Sequence, residues 1–136
     1  MADDTPDSLK DILEQQSEKM IKPRSTVLFR RGDAPAGMFV VLSGKVSLDV
    51  GFDSGLRRSY GPGTVVGLPS ALTRRNYSTT ATVTEDAELG FWSPEALDSL
   101  LRERPELCLP LLAILAKRLA ENYDAQSALL DYAQVP

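Results

Sequence analysis

The sequence predicts a mainly β fold, a barrel or sandwich of short strands flanked by helices, and three observations carry that expectation. From Thr26 to Trp92 apolar residues alternate with a period of two or gather in short apolar blocks. Glycine and proline punctuate the same stretch at Gly32, Gly44, Gly55, Gly61-Pro62-Gly63 and Gly67, leaving strands but no room for crossover helices. From Ser93 onward, and again before Pro23, the period is helical.

Residues 7–19 read as a helix with Asp7 or Ser8 as N-cap and Leu9, Ile12 and Leu13 as one short apolar stripe, ended by Pro23. Val27 and Phe29 then alternate with polar neighbours. Met38 to Leu42 is a continuous apolar run, the pattern of a strand buried on both faces. Val46, Leu48 and Val50 alternate again after Gly44. Asp53-Ser54-Gly55 and Gly61-Pro62-Gly63 read as turns. Ser78 to Val83 and Ala87 to Trp92 are rich in β-branched and aromatic residues and read as two strands, with Glu85-Asp86 turning between them. Ser93-Pro94-Glu95 supplies an N-cap, a proline at the first helical position and an acid in the first turn, ahead of Leu97, Leu100 and Leu101. Pro110 cannot donate an N–H to the carbonyl of Glu106, so a short turn from Pro105 to Leu109 is expected before a long helix that begins near Pro110.

Along that helix Cys108, Leu112, Leu115, Leu119, Asn122, Gln126, Leu129 and Ala133 alternate spacings of four and three, the seam of a two-stranded coiled coil. Leu107, Leu111 and Ile114 form a second stripe confined to the first turns. The helix is therefore expected to pack on its own β layer early and then run on against a second copy, giving a homodimer through Leu112, Leu115, Leu119, Asn122, Gln126 and Leu129. The alternative is a single amphipathic helix on a monomeric core.

At 136 residues, 43% hydrophobic and 25% charged, the chain suits one soluble globular domain. Its start is acidic and carries no targeting signal, and its longest apolar run, Leu107 to Ala116, is about half of a membrane span. A single cysteine cannot close an internal disulfide, which fits a reducing cytoplasm, and in its leucine-rich setting Cys108 reads as a buried structural thiol rather than a nucleophile. No histidine is present, which removes the commonest general base and metal ligand together. No enzyme activity, metal or cofactor is expected, and the Glu85-Asp86 pair reads as solvated turn acids. Residues 1–19 hold six acids against two bases, whereas residues 22–92 hold nine bases and six acids. That mild positive excess would suit an anionic small molecule.

The glycine frame has a recognisable form: Phe29-Arg30-Arg31-Gly32-Asp33, then Leu42-Ser43-Gly44-Lys45-Val46, Tyr60-Gly61-Pro62-Gly63, Val66-Gly67 and Thr80-Ala81-Thr82-Val83. It resembles the cyclic nucleotide-binding domain of catabolite activator-type regulators, over about Pro23 to Leu130. The resemblance implies a double-stranded β-helix (a β-roll, or jelly roll) of seven or eight short strands, with an N-terminal helix and C-terminal helices that include a long dimerisation helix. It divides the chain into an acidic helical segment 1–22, the β-roll with its following short helix 23–104, and the long helix 105–136.

In that family a strand ends in Gly-Glu, a short helical turn follows, and a loop leads to Arg-Ser/Thr-Ala-Thr-Val. The turn aims backbone N–H groups at the cyclic phosphate, the arginine pairs with its charge and the glutamate holds the ribose hydroxyl. Here Gly67 keeps the family glycine, but Leu68 stands at the glutamate position and Thr79 at the arginine position. Losing a charge-assisted bond to a buried anion costs about 2–5 kcal/mol, so cyclic AMP and cyclic GMP are expected to bind poorly. Pro69 removes one further N–H, a small loss at the first helical position. Ser70, Thr79 and Thr80 remain as neutral donors. Arg74 or Arg75 is either a substitute cation or a solvated loop residue. Asn122 and Tyr123 fall where the family's long helix meets the base; Asn122 also sits in the coiled-coil seam, where its alternative role is that of a polar register residue.

Regulators of this family continue into a helix-turn-helix domain, and this chain stops shortly after its long helix, with its arginine pairs scattered. DNA binding by this chain alone is therefore not expected. The functional expectation is a non-catalytic ligand-sensing domain with a changed specificity; the alternative is a dimerisation or docking module, with a protein partner, that kept the fold and lost the site.

Overall fold

The computed structural model describes residues 7–49, 57–118 and 120. In chain order it contains α1 (Asp7–Gln15), β1 (Glu18–Lys22), β2 (Val27–Phe29), β3 (Met38–Asp49), β4 (Arg57–Tyr60), β5 (Val65–Val66), α2 (Leu68–Thr73), β6 (Ala81–Trp92) and α3 (Pro94–Glu103). A single 3₁₀ turn at Pro105–Leu107 then leads into a last helix, α4, over residues 108–118. All strand pairs are antiparallel, in the order β1-β6-β3-β4, with β2 on β6 and β5 on β3. This is the β-roll that the glycine frame implied, with its flanking helices.

Two long strands build the roll. β3 and β6 have 12 residues each and pair along most of their length, and each then takes different partners at its two ends. β3 bonds β5 through Phe39 and Val40 and β4 through residues 46–49; β6 bonds β2 near Ala81 and β1 from Ala87 to Phe91. Such long strands curl only where the ladder is broken, and the register of this pair shifts repeatedly between Val41 and Val46. Gly44 lies within this break at φ 82°, where a Cβ would sit 2.3 Å from the carbonyl oxygen of Asp86.

The period-two alternation divides the core in two. Phe39, Val41, Val46, Leu48, Val83, Ala87 and Leu89 fill the inside of the roll, together with Phe29, Val66 and Tyr77. Met38, Val40, Val65 and Trp92 face the other way and pack against Leu9 and Leu13 of α1, Leu68 and Ala71 of α2, Leu97 and Leu100 of α3, and Leu107 and Leu111. The apolar run at 38–41 is thus buried on both faces, as expected.

Several local expectations are corrected. The first helix stops at Gln15, and residues 18–22 pair with β6 instead. Residues 14–19 are good helix formers, but docking of α1 ends it early. Trp92 Nε1 donates to the Leu13 carbonyl at 2.9 Å, and Lys19 Nζ caps the Glu14 and Gln15 carbonyls. The caps expected at Asp7 or Ser8 involve side chains outside the described ones. Glu85-Asp86 is no turn: β6 runs straight through it, which merges two expected strands and leaves six among the described residues. Both acids have other roles there. Glu85 pairs with Lys45 across the ladder at 3.4 Å, and Asp86 Oδ1 accepts the Arg24 N–H at 2.7 Å. The turn at Gly61-Pro62-Gly63 forms, with Thr64 N–H donating to the Gly61 carbonyl at 3.3 Å. The turn expected at Asp53-Ser54-Gly55 lies outside the described residues.

Ser93 caps α3, accepting the Ala96 N–H at 3.1 Å, with Pro94 in the first turn. α4 starts at residue 108, two residues earlier than expected, directly after the 3₁₀ turn. Its buried stripe is Leu107 and Leu111, with Ile114 and Leu115 partly buried beside it. Cys108 is exposed, not buried, at the start of α4 and outside that buried stripe. Leu109 and Leu112 are 75% and 57% exposed on the same helix. Among the described residues no helix is long and apolar enough to cross a membrane.

Candidate functional site

The cassette begins where β5 ends. Gly67 has φ 83° and ψ 8°, the left-handed conformation that turns the chain from strand into α2. A Cβ there would lie 3.0 Å from the Gly37 carbonyl oxygen and 3.3 Å from the rings of Phe29 and Tyr77. Both the left-handed backbone and the close neighbours favour glycine here. Pro69 occupies the first turn of α2, and Arg74 closes the helix in a left-handed C-cap whose N–H donates to the Ser70 carbonyl at 2.9 Å.

The return loop is fastened by Tyr77. Its ring stacks on Phe29 at 3.9 Å between centroids, and its hydroxyl donates to the Gly37 carbonyl at 2.6 Å while accepting the N–H groups of Gly37 and Ala36. Its backbone exchanges bonds with Gly32 and Asp33. The loop's two ends are therefore fixed by backbone geometry and one buried tyrosine.

Around that frame the expected ligand positions are distributed as follows. Leu68 is 2% exposed and joins the helix-facing core. Burial of a leucine side chain contributes about 1.5–3 kcal/mol, so Leu68 anchors α2 rather than offering a polar contact. Ser70 is buried within α2. Arg74 is exposed and already paired: its guanidinium lies 2.9 Å from Asp98 of α3 and also donates to the Ala71 carbonyl. Arg75 is exposed. Thr79 is half-buried, and Thr80 accepts the Arg31 N–H at 3.0 Å through its hydroxyl oxygen. Asn122 and Tyr123, and with them Leu119, Gln126 and Leu129 of the expected dimer seam, lie outside the described residues.

A cavity of about 340 Å³ opens between the cassette and α4, lined by Val65, Gly67, Leu68, Pro69, Ser78, Ile114, Leu115 and Arg118. Of the expected ligand residues it includes Gly67, Leu68 and Pro69; Ser70, Arg74, Arg75, Thr79 and Thr80 are not on its walls. Leu115, expected in the dimer seam, turns partly toward its own roll here. A second and more open hollow of about 310 Å³ lies against β1 and β2 with Phe39 and Phe91 on its wall, and no cassette residue lines it.

Sequence reading missed three residues that shape this site. Arg118 reaches back from α4 to the cavity wall, where Nη2 donates to the Val65 carbonyl at 3.3 Å and the guanidinium lies 4.4 Å from the centre of the Tyr60 ring. Arg31 approaches the end of the cassette through Nε, which donates to the Ser78 carbonyl at 3.1 Å. Tyr77 is the third. For Tyr77 an aromatic residue in an otherwise polar loop was the available signal; for the arginines, only the fold brings distant segments together.

The comparisons agree with this geometry. The family model described as cyclic nucleotide-binding domain matches residues 21–104, more than half of the chain. The cyclic AMP receptor protein of Thermus thermophilus is 33% identical over 107 residues, which is 76% of this chain and 50% of that protein. The mouse patatin-like phospholipase domain-containing protein 7 is 30% identical over 104 residues, 74% of this chain but 8% of the relative. The chain thus spans half of one relative and under a tenth of the other. Among solved structures, the Thermus thermophilus catabolite activator protein superposes with a TM-score of 0.76 at 30% identity, covering 93% of this chain and 61% of that one. With its glycine frame, antiparallel roll and cassette turn in place, the chain belongs to the cyclic nucleotide-binding domain family.

Proposed function

We propose that this domain is a non-catalytic sensor of a small molecule, of cyclic nucleotide-binding type but not tuned to cyclic AMP or cyclic GMP, acting as a cytoplasmic homodimer. One observation carries the reading. The cassette turn and a 340 Å³ cavity beside it persist, while the two positions that would read ribose and phosphate hold Leu68 and Thr79. The dimer is supported by the exposed Leu112 on the outer face of α4, in register with the expected seam through Leu115, Leu119, Asn122, Gln126 and Leu129.

A thermal-shift screen of nucleotides and anionic metabolites tests the sensor. A ligand at about a hundred times its dissociation constant stabilises the fold by about 2.7 kcal/mol, a readily measured rise in melting temperature. Failure of every compound would favour the second reading, an interaction module. That reading draws its support from the burial of Leu68, which fills with hydrocarbon the place of a ligand-binding side chain.

A further inference from the structure

We propose that the outer edge of β1 is a docking surface for a second copy of this chain, the two β1 strands pairing antiparallel about a two-fold axis at Met20. Among the described residues β1 pairs on one side only, with β6, from Glu18 to Lys22. Alternate residues of the strand therefore aim their N–H and C=O groups away from the sheet. The strand is little covered: Glu18 and Lys19 are exposed, and Ile21 is 77% exposed.

Edge strands are ordinarily kept apart by their charges, and here the charges do the reverse. Glu18, Met20 and Lys22 share one face of β1, where all three line the hollow with Phe39 and Phe91. A two-fold axis at Met20 sets Glu18 opposite the partner's Lys22 and Lys22 opposite the partner's Glu18, with the two methionines between them. On the other face Ile21 meets the hydrocarbon stem of the partner's Lys19. Neither Glu18 nor Lys22 has an ion-pair partner among the described residues, whereas the Lys19 ammonium is already held by the Glu14, Gln15 and Ser17 carbonyls. A shift of two residues in either direction loses both ion pairs. One such shift sets Lys19 against the partner's Lys19, and the other sets it against the partner's Pro23, which has no N–H to give. Five residues a side bury far less than the roughly 1,000 Å² of a stable interface, so the contact is weak, absent from dilute solution and formed where copies are concentrated. It depends neither on the sensor reading nor on α4.

Disulfide trapping tests this in the full chain carrying Met20→Cys and Cys108→Ser, because directly opposed residues in an antiparallel ladder lie about 4.5–5.5 Å apart at Cα, within disulfide reach. In concentrated protein under a mild oxidant a covalently linked dimer should form. Adding Glu18→Lys or Lys22→Glu turns both ion pairs into like-charge pairs and should slow linkage about tenfold or more; adding both together should restore it. Leu112→Asp should leave linkage unchanged. Melting curves establish that each variant is folded, and sedimentation equilibrium of the charge variants without the cysteine changes should rank their association in the same order. Absence of a linked dimer, linkage indifferent to either single reversal, no rescue by the double reversal, or loss of linkage with Leu112→Asp would each overturn the proposal.

Discussion

The cassette holds two regions of opposite character. At its ends, Gly67 and Tyr77 are fixed by a left-handed backbone, a stacked ring and a cluster of buried hydrogen bonds. Beside each of them, the positions that would grip a charged nucleotide carry Leu68, turned into the core, and Thr79, which is uncharged. The frame of the site and the grip of the site are thus separable. Shape is set by backbone conformation and packing, and the turn stands with Leu68 and Thr79 at those two places.

Tyr77→Ala should break that frame most severely. It removes a buried ring from its stack on Phe29, and chemical denaturation should show a loss of about 3–5 kcal/mol. Tyr77→Phe keeps the ring and orphans the Gly37 and Ala36 groups, for a smaller loss of about 1–3 kcal/mol. Gly67→Ala forces a side chain into the left-handed region against the Gly37 carbonyl; a cost of about 1–2 kcal/mol is expected in the same assay, and more if the contact does not relax. Leu112→Asp touches neither region. Because Leu112 is exposed, light scattering should show the proposed homodimer for the wild type and a monomer with an unchanged circular dichroism spectrum for the variant. A wild-type monomer, or a mutant that stays dimeric, would remove the dimer from the account. Smallest of all, Arg74→Ala breaks a half-exposed pair with Asp98 and should cost under about 1 kcal/mol in melting experiments.

Much of the fold was legible because it is written in local chemistry. The turn at Gly61-Pro62-Gly63, the apolar alternation and the Ser93-Pro94 cap each act within a few residues, and among the described residues each appears where it was expected. What misled was tertiary competition. Residues 16–19 favour a helix, yet strand pairing with β6 and the Trp92 bond to Leu13 claim that segment. Glu85-Asp86 looked like a turn because two adjacent acids interrupt an apolar pattern, but Lys45 and the Arg24 N–H give them partners within a continuous strand. Cys108 was judged by its neighbours in sequence, although a helix places adjacent residues about 100° apart and so on different faces. At the site, Gly67 and the departures at Leu68 and Thr79 could be read directly. The roles of Arg74, Arg31 and Arg118 could not, since each depends on a contact with a distant segment.

The central claim is that the frame of a cyclic nucleotide site survives here without its grip. Titration calorimetry of the wild-type chain with cyclic AMP and cyclic GMP tests it most directly. The account predicts dissociation constants no tighter than about 100 µM for either, since two gripping side chains worth several kcal/mol are absent. Low-micromolar binding of either nucleotide to the unaltered chain would contradict it.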